Sequence, residues 1–527
     1  MLSRCLRESR DRFRDAPHDR EVALQLCLGS STARRHAKMK RSQIVFIAAF
    51  ILWAFVAGEI YSYIAWIPRF KARFAFDQKR SLALGTVLYV GWTVANPLIV
   101  LIVGALSRCC DDDPERQPLM LPAAARQRVP RLVYHVISFV GLSLTCAGFA
   151  VAAFLSRDES PVASSDIAFV LLMASFAMIA VGSSFCFWVT YTLFTSCVVD
   201  SPAALRAVTG AAYASFAVGG VVATQIVNDA AADWTKLRTF FTASSVLQAV
   251  ASVGMMLVHH CFLVDRAGSD TTAVAQDNAA AGEASAAVAQ DNAAVGEASE
   301  PVLEAATAPR TNWSIIHEYF ASVNGLLVAS SSLLKAAVGP TITVQSGLLL
   351  NSILHASAHA HEQSHIGLIL LNVAQTAGRV VVSLSGCVQC GIGESRVTVG
   401  VAIASNAAFV VASIVGATSL TVTSVYAIMV VGGFGYGLMW AIDAPLLIVA
   451  AREPGDWNAI IGPISVLVAL GSFAGNYIAG ALYDRLGHWT REGVECFGPA
   501  CFKDSFTVLA VIAGVGTIVL AVLMRRV

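Results

Sequence analysis

Two charged residues of opposite sign interrupt long apolar runs, and they are the side chains best placed to do chemistry. Glu59 follows Ala57 and Gly58 and precedes Ile60; Lys335 lies between Leu334 and Ala336. A charge held near the middle of a bilayer costs roughly 2.5–3.5 kcal/mol on insertion scales, so a chain that keeps one there turns it toward a cavity or a partner. A carboxylate in that position can take up a proton or hold a cation, and a lysine can hold an anionic group. Arg379 and Asp443 are two further charges in apolar surroundings. Arg379 suits a gate or an interbundle salt bridge as well as a substrate contact. Asp443, between Trp440 and Pro445, suits a helix-end cap or an interbundle pair as well as a substrate contact. Tyr61, Gln345, Asn351, Asn372, Gln375, Tyr436 and Trp440 are polar or aromatic groups in the same apolar stretches. Just after Lys335, Gly339-Pro340 predicts a break in its helix, because proline removes a backbone donor.

A second cluster has metal-ligand chemistry. HASAHAHEQSH places His355, His359, His361 and His365, with Glu362, in one short loop that holds four of the chain's 11 histidines. Histidines four apart share a helix face and suit a first-row metal, so the loop is a candidate collecting site for iron, zinc or copper; a polar or pH-sensitive loop is the alternative. Cys496 and Cys501, in CFGPACF, are close enough to pair, and a disulfide is expected there over a metal site. GGFGYG near residue 435 has no strand before it, so it is no nucleotide loop. Neither a Walker motif nor a hydrolytic triad is found, and no cofactor or enzymatic activity is expected.

The elements that carry these groups are apolar spans. The chain of 527 residues is 56% hydrophobic and 13% charged, about half the charge of a soluble domain. Twelve runs approach the roughly 20 residues that cross a bilayer, and lipid leaves only helices to satisfy their backbones. The expectation is an all-α membrane protein of twelve transmembrane helices. Residues 43–264 form one six-helix bundle and residues 313–527 the other. The first span is read as a continuous run over 43–67, and the seventh as a long, interrupted one over 319–353. Between the bundles, residues 265–312 carry a 14-residue duplication, AVAQDNAAAGEASA followed by AVAQDNAAVGEASE. This composition buries too little apolar surface to fold and reads as a disordered acidic tether. Residues 1–42 are a basic tail, and Met39 is an alternative start. Lys and Arg, concentrated in that tail and in the loop before Arg131, place both termini in the cytosol; the basic first outside loop dissents. Glu59 and Lys335 then climb to similar depths, about 24 Å from the cytosolic face at about 16 residues into their spans.

Several stretches resemble the nodulin-like branch of the major facilitator superfamily. AGEIYSYIAWIPRFK, from Ala57 to Lys71, resembles that family's first-span pattern, with Gly58, Tyr61 and Lys71 in place. NVAQTAGRVVVSLSG matches its Asn…Gly-Arg…Gly pattern at Asn372, Gly378, Arg379 and Gly386. GFGYGLMW ending at Trp440, then GALYDR to Arg485, then CFGPACF, follow the family's order over the last 100 residues or so. After the fourth span Pro202, Arg206 and Gly210 are kept while the family's lysine is missing, and GALSRCC departs from the superfamily's cytosolic motif. The resemblance implies two pseudo-symmetric bundles and alternating access. It also makes spans one and seven symmetry mates lining a central cavity, so Glu59 and Lys335 are expected to pair across it. Some nodulin-like carriers are associated with iron handling. A shared fold does not name a substrate.

The function expected is a secondary transporter of a small solute, with protons as a coupling partner through Glu59. A transition-metal ion such as iron ranks first as solute and a small organic anion second. The alternative is a non-transporting membrane sensor on a carrier fold. Lipid is the expected surrounding, and nucleic acid is no partner at a net charge of +1. The plasma membrane is the expected location, with an organelle membrane as the alternative.

Overall fold

A computed structural model describes residues 41–59, 63–76, 78–110, 131–157, 165–198, 202–230, 233–261, 311–354, 360–387, 393–453, 456–490 and 493–527. The basic tail up to residue 40 and the duplicated tether over residues 262–310 lie outside these. The N-terminal half comprises α1 (Arg41–Ala57), α2 (Tyr63–Phe74), α3 (Gln78–Cys110), α4 (Arg131–Leu155), α5 (Ser165–Val198), α6 (Pro202–Ala230) and α7 (Trp234–Cys261). The C-terminal half comprises α8 (Asn312–Ala321), α9 (Val323–Leu354), α10 (Ala360–Cys387), α11 (Glu394–Thr418), α12 (Val422–Ala450), α13 (Trp457–Leu486) and α14 (Ala500–Arg526). Among the described residues, eleven helices are long and apolar enough to cross a membrane, and Ile44–Ala57 is a shorter apolar helix. The end of the bundle at which Arg41 lies is called the near end below, and the opposite one the far end.

The apolar side chains that a soluble protein would hide form an outward stripe. On α7, Val246, Leu247, Val250, Val253 and Leu257 are all exposed, and on α14 so are Val511, Val515, Ile518 and Val522. Helical spacing puts each set on one face, and that face is turned to lipid. Aromatics fill the interior of the N-terminal half: Trp66 stands edge-on to Phe176 and Phe241, with ring centroids 4.7 and 5.0 Å away.

The halves meet along two seams. α6 runs along α10, and α3 runs along α13. In span numbers these are five with eight and two with eleven. Advancing each span by six converts one seam into the other, as a pseudo-two-fold axis requires. The α6–α10 seam is bonded over its whole length. At the near end Ser383 Oγ donates to the Ala207 carbonyl at 2.5 Å, and beside the seam Arg206 of α6 donates to Thr398 of α11 at 3.1 Å. Toward the far end Asn372 donates to Thr224 at 3.4 Å, and His365 meets Gln225 at 2.9 Å. In the other seam Asn96 donates to Ser465 at 3.0 Å.

Two features differ from the sequence-based expectation. The first span is not one helix: α1 ends at Ala57, Gly58 and Glu59 make a 3₁₀ step, and α2 begins at Tyr63. A close helix contact accompanies the step. A Cβ at Gly58 would sit 1.9 Å from the Phe216 carbonyl oxygen, and one at Gly219 would sit 1.8 Å from that of Phe55, so α1 and α6 touch backbone to backbone. The seventh helix does not break at Pro340, since α9 runs unbroken through it. Its interruption falls at Ser322, whose Oγ donates to the Tyr319 carbonyl at 2.8 Å and accepts from Gly325 N at 2.9 Å, ending α8 and starting α9. The fold is all-α as expected, with one short hairpin added to it. β1 (His488–Thr490) and β2 (Gly493–Glu495) form an antiparallel hairpin at the far end, with Trp489 opposite Val494.

Candidate functional site

Glu59 sits where α1 gives way, and its side chain is buried. Span six holds it: the side chains of Gln248 and Ser244 hydrogen-bond its carboxyl group. Gln248 Nε2 also donates to the Val56 carbonyl at 3.2 Å. That carbonyl belongs to the last turn of α1, where helix oxygens have no partner further along. One turn further on, Ser252 accepts from Trp53 Nε1 at 3.3 Å. Span six therefore supplies polar contacts to both the end of α1 and the carboxylate beside it.

Lys335 lies on α9 with its side chain wholly covered, and its ammonium meets Asp443 Oδ1 of α12 at 2.5 Å. The expected pairing of Lys335 with Glu59 is therefore not the one formed. Lys335 finds its counter-charge inside its own half, and Asp443 is an intrabundle partner rather than an interbundle one. Equal depth in two symmetry-related spans was not enough to join the charges, because an acid one helix away reaches Lys335 first.

Arg379 does cross between the halves. On α10 it is fully buried, and its Nη1 donates to the Tyr213 carbonyl of α6 at 2.8 Å. Its guanidinium also lies 5.9 Å from the Tyr213 ring centroid. On α12, Tyr436 and Trp440 pack edge to face with ring centroids 6.1 Å apart. Tyr436 meets Tyr89 of α3 in the same manner at 6.3 Å. Gly339 makes room for this packing, since a Cβ there would fall 2.8 Å from Phe409 and 3.0 Å from Tyr436. Gln345 and Gln375 are buried, and Gln375 offers both its amide atoms to no described partner.

Other expected site residues are placed apart or lie beyond description. Tyr61, His355 and His359 fall outside the described residues. Asn351 and His361 sit on α9 and α10, with side chains outside the description. Glu362 is exposed on the first turn of α10, and His365 is spent on Gln225 across the seam. Among the described residues no group of three or more His, Cys, Asp and Glu comes together as a metal centre. Cys496 and Cys501 are joined as a disulfide. The loop they close pins the far end of α9: Ser352 Oγ donates to the Cys496 carbonyl at 2.6 Å, and Tyr483 OH bonds the backbone of Cys496 on both sides.

Sequence reading missed Gln248, Ser244 and Ser252, which stand four apart along one face of a single span, as in SSVLQAVAS. That polar stripe in an apolar helix was the available signal. Asn406 and Asn476 were missed too. Each is buried in its span with an amide that hydrogen-bonds to no described group.

Two bundles meeting along seams that exchange under a six-span shift match known architectures. The chain is similar to a bacterial homologue of the iron transporter ferroportin in its outward-facing state. The TM-score is 0.54 at 12% identity, over 91% of this chain and 100% of that one. The chain has the major facilitator fold. The same homologue soaked with iron matches over 90% and 98% of the two chains, again at 0.54 and 12%. The human organic anion transporter MFSD10 (TETRAN) matches at 0.52 and 13% identity, over 92% and 100%. No protein-family model and no curated protein sequence matches the chain. Within the major facilitator fold, the polar groups described here occupy the interior of each half and the seams between them.

Proposed function

We propose that the chain is a secondary carrier that moves a small solute across a membrane by alternating access, with Glu59 as the residue that couples transport to a cation or proton. The observation that carries this reading is the interrupted first span. It leaves a buried carboxyl beside a helix end whose carbonyl is held by Gln248 of another span. Broken spans at mid-membrane are where carriers of this kind hold ions, because freed backbone oxygens and a nearby charge share one place. The two symmetric seams supply the surfaces that would part in turn. On this reading the near end faces the cytosol and the chain resides in the plasma membrane. The structural neighbours are named for iron and for organic anions, and either solute would suit a carrier of this build. His365 and Glu362 at the far end were the basis for iron, and Lys335 and Arg379 for an anion; His365 is engaged by Gln225, Lys335 by Asp443 and Arg379 by Tyr213.

The test is uptake by proteoliposomes holding the purified chain, across iron(II), a small carboxylate and a small protonated amine. Saturable uptake of one of them is expected. Glu59→Gln should abolish accumulation driven by an ion gradient and leave solute exchange running. Wild-type accumulation in that variant would sink the coupling role. Absence of flux for a solute that binds would favour the sensor reading instead.

A further inference from the structure

Tyr436, Trp440 and Asp443 stand at positions i, i+4 and i+7 of α12, within about 60° of one another around the helix. Tyr436 packs on Tyr89 of the other half, so this face looks across toward that half and not to lipid. At its near end is the ion pair, and its two members differ in access. The Lys335 side chain has 0% of its surface uncovered, while that of Asp443 has 22%. A solute between the halves therefore meets the carboxylate and not the ammonium. Oδ1 of Asp443 takes Lys335, and Oδ2 accepts from no described group. Next to it Trp440 is only half-buried, and its Nε1 is buried without a described acceptor.

We infer that this face of α12 binds a protonated organic amine, with the ammonium on Asp443 Oδ2 and against the ring of Trp440. The chemistry selects among the solute classes. An anion would have to displace Asp443 to reach an enclosed lysine. A metal ion needs several ligating groups, and the described residues bring no such group together. An ammonium needs only one acceptor and an aromatic face, whose negative quadrupole attracts it. When the amine docks, Asp443 is shared between two cations, and its hold on Lys335 loosens. Solute arrival is thereby felt on α9, the helix that carries Lys335. This inference rests on the carrier reading in taking the space between the halves as the solute's route.

The test is binding, measured apart from transport, on the full chain purified in detergent. The probes are phenethylammonium and its matched carboxylate, phenylacetate, with iron(II) as a third. Phenethylammonium should bind saturably and the other two should not compete with it. Trp440→Leu leaves the ion pair intact and should weaken amine binding about two- to thirty-fold, the range that cation–π attraction supplies. The double variant Lys335→Met/Asp443→Asn removes the carboxylate without stranding a charge, and it should abolish amine binding. Competition by phenylacetate or iron(II), an amine affinity unchanged in Trp440→Leu, or no amine binding at all would each overturn the inference. Flux of another solute in proteoliposomes would then leave the carrier reading standing. Amine binding with no flux of any solute would sink the carrier reading alone.

Discussion

Neutralising the Lys335–Asp443 pair one member at a time should cost unequal amounts. At 2.5 Å and an effective dielectric constant near 20, the two charges attract by roughly 7 kcal/mol. Removing both from water costs several kcal/mol per ion, so the intact pair contributes little net stability. Breaking it is another matter. Asp443→Asn leaves an ammonium with none of its side chain uncovered, and an uncompensated buried charge costs about 3–5 kcal/mol. Lys335→Met leaves a carboxylate that is still 22% uncovered, so water reaches it, and the loss should be about half as large. The double variant Lys335→Met/Asp443→Asn has no charge to strand and should fall within about 1 kcal/mol of the parent. Denaturant unfolding of the purified protein, followed by tryptophan fluorescence, gives all four corners of a double-mutant cycle. Equal losses in the two single variants would refute the argument from unequal burial. A double variant worse than both singles would refute the claim that stranded charge, rather than lost attraction, sets the cost.

Two further outcomes test other parts of the molecule. A Cβ built on Gly210 would lie 2.7 Å from the Ser383 Cα and 2.8 Å from its Cβ, closer than side chains pack, so Gly210→Val should force α6 off α10 and lower thermal stability by about 1–3 kcal/mol, whereas an unchanged melting temperature would show that this seam is not closed backbone to backbone. In the unreduced protein a bulky maleimide should modify the exposed Cys261 and spare Cys496, Cys501 and the buried Cys186, with Cys496 and Cys501 reacting only after reduction; peptide mass spectrometry reads both, and labelling of Cys501 before reduction would contradict the disulfide.

Much of the architecture was legible because lipid makes strong demands. Each span must be long, apolar and helical, and composition alone reveals that. Glu59, Lys335, Arg379 and Asp443 were visible for the same reason, as charges where charges are costly. Which of them touch was not legible. The Lys335–Asp443 bond depends on how α9 is rotated against α12, and a sequence states depth along a helix more readily than rotation about it. The break in the first span was hidden because nothing local compels it: AGEIYSY contains no proline, and the backbone approach to Phe216 that accompanies the break comes from more than 150 residues away. Conversely, Pro340 looked like a break and is not one, since α9 continues through it.

The interrupted first span also bears on how the chain is made. The apolar part of α1 runs from Ile44 to Ala57, about 21 Å of helix at 1.5 Å per residue, against a hydrocarbon core of about 30 Å. Such a segment is a poor stand-alone anchor at the moment it leaves the ribosome. Its last turn has a carbonyl at Val56 whose partner, Gln248, is synthesised 192 residues later. During synthesis the opening segment therefore waits, incompletely seated, until the sixth span arrives to close the half. A chain truncated after α6 would lack that closing piece, and cellular quality control would meet it as an unfinished membrane domain with an unsatisfied backbone group and a carboxyl group without the Gln248 and Ser244 contacts that hold it in the finished protein.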